Sequence, residues 1–160
     1  MAREKLDQTK VEIVARNRRA SYDYELLERF EAGLVLTGTE IKSVRAHRVS
    51  LQRAYVQPRG GELYLMEATI APYEHGNREN HDPDRPRKLL LHRREINKIL
   101  EALQTKGMAM VPTKLYLSGG WAKVEVALAR GKKLYDKRAA LRKRESERQV
   151  ERAMREKFRE

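Results

Sequence analysis

Cysteine is absent from this 160-residue chain, and aromatic residues are few, with one Trp, two Phe and seven Tyr. Without cysteine, disulfides, thiolate catalysis and cysteine-based zinc sites are excluded. Long apolar runs are also lacking, since none approaches the length of a membrane span or a signal sequence. These absences favour a cytoplasmic protein with no membrane partner.

Patterns typical of an enzyme are missing as well. His75, His81, Asp82 and Asp84 share one polar stretch, but their spacings match no metal motif. The serines have no neighbouring base and acid, and the carboxylates are too scattered for a cation-dependent nuclease centre. We therefore expect no enzyme activity, cofactor or metal. A distant alternative is an RNA-processing hydrolase that uses His75, His81 and Asp82.

Positive charge is what the chain has in excess. The formal net charge is +12, from 35 Lys and Arg against 23 Asp and Glu. Residues 131–160 hold 12 of the cations and 6 of the acids, so half of the excess lies in the last 30 residues. Because binding to phosphates releases counterions, a polyanion is the natural partner. The alternative is an ordinary soluble protein with a high pI.

The stretch from Trp121 to Arg138 marks the end of the folded domain. Its first half alternates with the period of a strand. The residues expected to face the core are Ala122, Val124, Val126 and Leu128, and those expected on the other face are Lys123, Glu125 and Ala127. After Gly131 the chain is highly charged and has no further Gly or Pro. We therefore predict a domain over residues 1–130 and a basic tail over residues 131–160.

Short strands and one long helix account for the rest of the domain. The first predicted elements are a strand near Val11–Val14, a short helix, a bent strand over about Tyr24–Leu36 and a helix capped by Thr39. Strands Ala54–Val56 and Leu63–Met66 follow, joined by a turn at Pro58–Gly61. The last are a helix over Arg93–Lys106 and a strand over Met108–Leu117 that is bulged at Pro112. Helix is the competing interpretation for Tyr24–Ala32. About six strands with an inserted helix favour a mainly β fold, an OB-type partly closed β-barrel with flanking helices.

Cationic and aromatic residues occur together at Asn17–Tyr24, Trp121–Lys123 and Lys132–Arg138, as single-stranded RNA binding requires. We expect Tyr55, Tyr64 and Tyr116 to pack in the core instead, because they lie within apolar strands. The long stretch Pro72–Lys88 has no periodic pattern, which is typical of a functional or disordered loop.

The tail has high helix propensity but a thin apolar stripe, with Val150, Met154 and Phe158 at four-residue steps. Such a helix is marginal alone, so we expect it to be disordered when free and helical when bound to RNA. The alternative is a permanently solvated surface helix.

Several motifs, in order along nearly the whole chain, resemble the SsrA-binding protein family, whose members are partners of transfer-messenger RNA. The matching segments are Asn17-Arg18-Arg19-Ala20, Phe30-Glu31-Ala32-Gly33, Leu36 to Ser43, His81-Asp82-Pro83, Arg87 to Leu91 and Gly131 to Arg138. The resemblance implies an OB-type barrel that binds the tRNA-like domain of that RNA. It also implies delivery to stalled ribosomes, with the tail in the empty messenger channel near the decoding centre of the small subunit. Elongation factor Tu is an implied further partner through the shared RNA.

Two sets of candidate residues follow from these motifs. The RNA-binding set is Asn17, Arg18, Arg19, Glu31, Glu40, Lys42, Leu90 and Lys123, of which the resemblance ties Glu31, Leu90 and Lys123 to RNA. The ribosome-binding set in the tail is Lys132, Lys133, Tyr135, Asp136, Lys137, Arg138, Arg142, Lys143 and Met154.

The functions expected of two of these residues need separate comment. Since a carboxylate repels phosphate, we expect Glu31 to orient a neighbouring Arg or to accept hydrogen bonds from a base edge or a ribose hydroxyl. Tyr135 stands where some relatives carry His, so the resemblance implies stacking there rather than titration. The predicted function is an RNA-binding adaptor in trans-translation, and the alternative is a general OB-type RNA chaperone with a nonspecific basic tail.

Overall fold

Two long antiparallel strands, β8 (Met108–Ser118) and β9 (Trp121–Gly131), are the centre of the sheet. Strand β9 alternates in hydrophobicity over its first half, β8 is apolar on both sides of Thr113 and Lys114, and Gly119 and Gly120 join the two strands. These glycines have φ angles of 58° and 81°, the left-handed region that glycine adopts without steric cost. The hairpin therefore forms where its sequence predicts it.

The computed structural model describes residues 10–75, 80–132 and 134–159, the last range without the side chains of residues 134–137, 140, 158 and 159. The elements before β8 are β1 (Val11–Arg16), α1 (Ala20–Asp23), β2 (Tyr24–Leu34), α2 (Gly38–Arg45), β3 (Val49–Ser50), β4 (Tyr55–Arg59), β5 (Glu62–Met66), β6 (Thr69–Ile70), β7 (Arg87–Leu90) and α3 (Arg93–Leu103). The last element is α4 (Leu134–Arg159).

Seven of these strands form one antiparallel sheet in the order β1-β8-β9-β2-β7-β5-β4, and β3 pairs with β6 separately. The sheet curls so that its edge strand β4 lies against β8. This arrangement confirms the mainly β fold with a partly closed barrel. The described residues form nine strands rather than about six, because β3 and β6 are two residues long and too short to show a period.

The core fills the inside of this curled sheet. Its most buried side chains include Leu63, Leu89, Leu115 and Val124, each with no exposed surface. Helix α3 adds Ile96 and Ile99 to the same core. This helix ends at Leu103, three residues before the predicted end, and Gly107 follows with a φ of 84°.

Three local predictions were wrong or incomplete. Helix α2 begins after Thr37, not Thr39, because the Thr37 amide donates to Glu40 Oε1 at 2.9 Å. Pro58 lies within β4, so the turn is only Gly60 and Gly61. Ala127 is fully buried although it lies on the outer face of β9. At that end of the sheet α1 covers the outer face, and Ala20 packs there against Val111 and Ala129.

Bends in the long strands agree with the sequence. The register of β8 against β9 shifts between Pro112 and Lys114, as expected at a proline. Strand β2 has a shift between Leu26 and Arg29, which confirms a bent strand there rather than a helix.

The tail is one continuous helix, α4, which contacts α1. Arg144 Nη2 donates to the Arg18 carbonyl at 3.0 Å and to Ser21 Oγ at 3.3 Å. That the helix forms only on the ribosome stays a prediction. Among the helices in the described ranges, none has the length and apolar character that crossing a bilayer requires.

Candidate nucleic-acid interface

The candidate interface is the outer face of the sheet where β9, β2 and β7 lie side by side. Gly33 in β2 pairs with Lys123 in β9 on one side and with Leu90 in β7 on the other. Directly paired residues of antiparallel strands project from the same face. Glu31 precedes Gly33 by two residues, so its side chain lies on that face too. Pairing of the three strands thus brings together Glu31, Leu90 and Lys123.

A glycine, Gly33, lies at the centre of this face. A Cβ atom on Gly33 would lie 3.3 Å from the Leu90 Cβ, a tight contact. A glycine inside a strand permits close approach of a neighbouring group. Gly33 therefore leaves a low surface between Lys123 and Leu90.

Glu31 is held in place by two donors. The Tyr116 hydroxyl donates a short hydrogen bond to Glu31 Oε2, and Lys123 Nζ donates to Oε1 at 3.0 Å. The bond from Tyr116, and after it the bond from Lys123, lowers the pKa of Glu31, which is therefore ionised at neutral pH. Burial, and then the bond to Glu31, raises the pKa of Tyr116, which stays protonated.

These contacts correct part of the expectation for Glu31. The group that it orients is Lys123, not an arginine. Tyr116 was expected to be a core residue, and it is buried, but its hydroxyl points to Glu31. Lys123 uses one of its three N–H groups on Glu31, so the other donors can face a phosphate.

The three side chains are accessible to a ligand. The side chain of Glu31 is 56% exposed and that of Lys123 is 35% exposed. Leu90 as a whole residue is 52% exposed. A shallow cleft of about 460 Å³ runs from Glu31 and Leu90 to the start of α3. A charged pair beside an apolar side chain on an open face suits the polar edge and the ring of a nucleotide.

Arg18 and Arg19 lie elsewhere, on the α1 end of the molecule. Both are exposed and, with Arg144 of α4 and Tyr22, line a cleft of about 380 Å³. Asn17 does not share this exposure. Its Nδ2 donates to the Pro112 carbonyl at 3.0 Å, so its buried side chain connects the turn between β1 and α1 to β8. We correct the expectation that Asn17 contacts RNA.

Glu40 also departs from its predicted role, because it is fully buried. Arg85 Nη2 donates to Oε1 and Arg87 Nε to Oε2, each at 2.6 Å. Burial raises the pKa of Glu40, but the bonds from Arg85, the Thr37 amide and Arg87 outweigh it and lower that pKa to about 2. Glu40 is therefore an internal ion-pair residue and not an RNA contact.

Lys42, on the same helix, is exposed. Its Nζ lies 5.2 Å from the centre of the Tyr73 ring, a cation–π contact. Contact between Lys42 and RNA stays a prediction.

The predicted tail residues are described to different extents. The Lys132 amide donates to the Asp23 carbonyl at 3.0 Å and its Nζ donates to the Ser21 carbonyl at 2.8 Å, so Lys132 connects the end of β9 to α1. Lys133 lies outside the described residues, and Tyr135, Asp136 and Lys137 lie within α4 with side chains that are not described. The exposed members of the set are Arg138, Arg142, Lys143 and Met154.

Sequence reasoning missed that Arg85 and Arg87 pair with Glu40 of α2, and it assigned Arg87 and Lys88 to the long loop although they begin β7. His81 in that loop contacts Thr39 Oγ1 at 2.9 Å and the Ile70 carbonyl at 2.8 Å, so it too has a structural role. No local signal marks Arg87 as buried, because its partner Glu40 is 47 residues away. Within the described ranges, no group of His, Asp or Glu side chains could hold a metal ion.

Comparisons with known proteins agree on one family. The family model described as SmpB protein matches residues 14–156. An SsrA-binding protein of Geobacillus kaustophilus is 53% identical over 90% of this chain and 93% of its own length. An SsrA-binding protein of Chloroflexus aggregans is 53% identical over 94% of this chain and 96% of its own length.

A solved structure supports the same assignment. It is described as "tmRNA-SmpB: a journey to the center of the bacterial ribosome", with a TM-score of 0.63 and 50% sequence identity. The match covers 74% of this chain and 84% of that chain. The resemblance found in the motifs is confirmed, and the chain belongs to the SmpB family of SsrA-binding proteins.

Proposed function

We propose that this chain is an RNA-binding adaptor in trans-translation. It binds the tRNA-like domain of transfer-messenger RNA and brings that RNA to stalled ribosomes, where incomplete chains are tagged. The protein performs no catalysis of its own. It works in the cytoplasm, where ribosomes are, and meets elongation factor Tu through the shared RNA.

The observation that supports this function most is the exposed group formed by Glu31, Tyr116, Lys123 and Leu90. An isolated surface carboxylate would repel RNA. Here Glu31 is tied to a lysine that keeps free donors, and so it presents a fixed acceptor beside a cation. This combination can read a ribose hydroxyl or base edge while it binds a phosphate, which a purely electrostatic RNA chaperone does not need.

The tail is the second arm of the adaptor. Arg138, Arg142 and Lys143 are exposed on α4, so their charges are available to ribosomal RNA. We propose that α4 enters the messenger channel near the decoding centre of the small subunit. In this proposal Tyr135 stacks on a base there, and Lys133, Asp136 and Lys137 contact the same ribosomal RNA.

Competition binding tests this function. At physiological salt the full chain should bind the tRNA-like domain of transfer-messenger RNA in preference to bulk RNA. Lys123→Ala should weaken this binding and reduce the salt slope by about one. Lys98→Ala is the matched control, because Lys98 is also an exposed lysine paired with a glutamate, Glu28, at 2.7 Å. Equal affinity for both RNAs, or equal effects of both substitutions, would refute the adaptor and favour the chaperone.

A further inference from the structure

Trp121, the one tryptophan of the chain, is 75% exposed. A tryptophan is usually well buried, because its large ring carries much apolar area. In the part of the chain that the structure describes, its indole has no hydrogen-bond or ring partner. Next to it in β9, Ala122 fills the core position, so Trp121 contributes nothing to the interior. Its ring is therefore available to a ligand.

The strand register places Trp121 on the candidate interface. It precedes Lys123 by two residues in β9, so both side chains project from one face. Val35 follows Gly33 by two residues, one residue past the end of β2, and because β2 and β9 are antiparallel the chain runs from Gly33 toward the Trp121 end of β9. Val35 is 44% exposed, and its amide donates to the Lys88 carbonyl at 3.1 Å. Trp121, Val35 and Leu90 are thus exposed apolar side chains near Gly33, and we call them the apolar surface.

Cations surround this apolar surface. Lys123 lies beside Trp121 in β9, and Lys88 beside Val35. Arg85 Nη2 reaches the Val35 carbonyl at 3.3 Å, and 35% of its side chain is exposed. Two copies of a chain with a net charge of +12 would bring these cations against each other. An apolar surface with a cationic rim instead fits an aromatic base attached to a phosphate.

We propose that Trp121 is a base-stacking platform: an unpaired nucleotide of the bound RNA places its base on the indole, with its phosphates at Lys123 and Lys88. The base must be unpaired, because a duplex covers both of its faces. This inference rests on the proposed function and extends the site of Glu31, Leu90 and Lys123 along the sheet.

The single tryptophan makes the test direct, since all tryptophan emission comes from Trp121. Titration of the full chain with the tRNA-like domain of transfer-messenger RNA should change this emission in a saturable way. The midpoint should equal the Kd from an independent filter-binding assay. Trp121→Ala should weaken binding by about 5- to 150-fold, the equivalent of roughly 1–3 kcal/mol for one stacked base. Trp121→Phe keeps an aromatic face and should recover most of this loss.

Leu27→Ala is the control, since Leu27 is 45% exposed and lies toward the other end of β2. It should bind as wild type does, and thermal unfolding should show all variants folded. If RNA leaves the emission unchanged and Trp121→Ala binds with wild-type affinity, Trp121 is not a stacking platform. In that case the proposed function still stands as long as the wild-type chain prefers this RNA to bulk RNA. Loss of that preference in the wild-type chain would instead refute the function. Emission that depends on protein concentration without RNA would show a second copy on this face and also overturn the platform.

Discussion

Replacing Glu40 by glutamine should destabilise the domain far more than the same change at an exposed ion pair. Glu40 is fully buried between Arg85 and Arg87, and Arg87 is buried as well. The substitution leaves the Arg87 charge in the interior without its counter-ion. Breaking one partner of a buried ion pair costs roughly 3–5 kcal/mol. At about 2–4 °C per kcal/mol, Tm should fall by roughly 6–20 °C.

The pH dependence gives a second estimate of the same magnitude. The pKa of Glu40 falls from 4.5 to about 2 on folding. Because a shift of one pKa unit corresponds to ~1.4 kcal/mol, ionisation of Glu40 stabilises the fold by roughly 3 kcal/mol. Because the folded pKa is the lower one, this stability is fully present above pH 4.5 and is lost as the pH falls through about 2. The difference between wild type and Glu40→Gln should therefore shrink over that window.

Urea unfolding from pH 7 to pH 2 measures this difference, and other titrating groups cancel between the two proteins. Glu62→Gln is the matched control, because Glu62 pairs with Arg93 at the surface at 2.6 Å and should cost at most about 1 kcal/mol. At a temperature where Glu40→Gln is folded, its RNA affinity should equal that of wild type. Equal stability losses at Glu40 and Glu62, or a loss of RNA affinity in folded Glu40→Gln, would refute the structural role.

Three further predictions concern the interface and the tail. Glu31→Gln should weaken RNA binding but change the free energy of unfolding by less than about 1 kcal/mol, because the Glu31–Lys123 pair is partly exposed; a large loss in urea unfolding with unchanged affinity would make Glu31 structural. Removal of residues 131–160 should leave a domain that unfolds cooperatively, since no core residue described here lies beyond Ala129; a broad transition in calorimetry would contradict this. Met154→Pro keeps the net charge but breaks α4 at a cost of about 3 kcal/mol, so it should impair tagging on stalled ribosomes and leave binding of free transfer-messenger RNA unchanged. Tagging at the wild-type rate would show that the tail acts through its charge alone and not as a helix.

Local patterns predicted those parts of the fold that depend on local physics. The alternation in Trp121–Gly131, the bulge at Pro112 and the glycine turns all follow from side-chain period and backbone preference. The burial of Ala127 does not, because it depends on α1 folding over the sheet. Periodicity describes one strand against solvent, and it carries no information on which faces another element covers.

In the candidate site, too, the sequence predicts which residues take part but not which of them are neighbours. Motif resemblance selected Glu31, Leu90 and Lys123, but only strand pairing shows that they are neighbours. Glu40 was misassigned because its partner Arg87 is distant in sequence, and a charged residue looks exposed until that partner is known. Trp121 appeared as part of a basic and aromatic segment, yet its exposure depends on the three-dimensional arrangement of the hairpin.

If this chain is the adaptor proposed above, transfer-messenger RNA needs it to tag incomplete chains on stalled ribosomes. The most direct measurement is tagging of incomplete chains in a reconstituted translation reaction that lacks any other SsrA-binding protein. We expect the full chain to restore tagging, Lys123→Ala to restore less at limiting protein, and Lys98→Ala to match wild type. A full chain that binds transfer-messenger RNA tightly and specifically but gives no tagged product would contradict the proposed function.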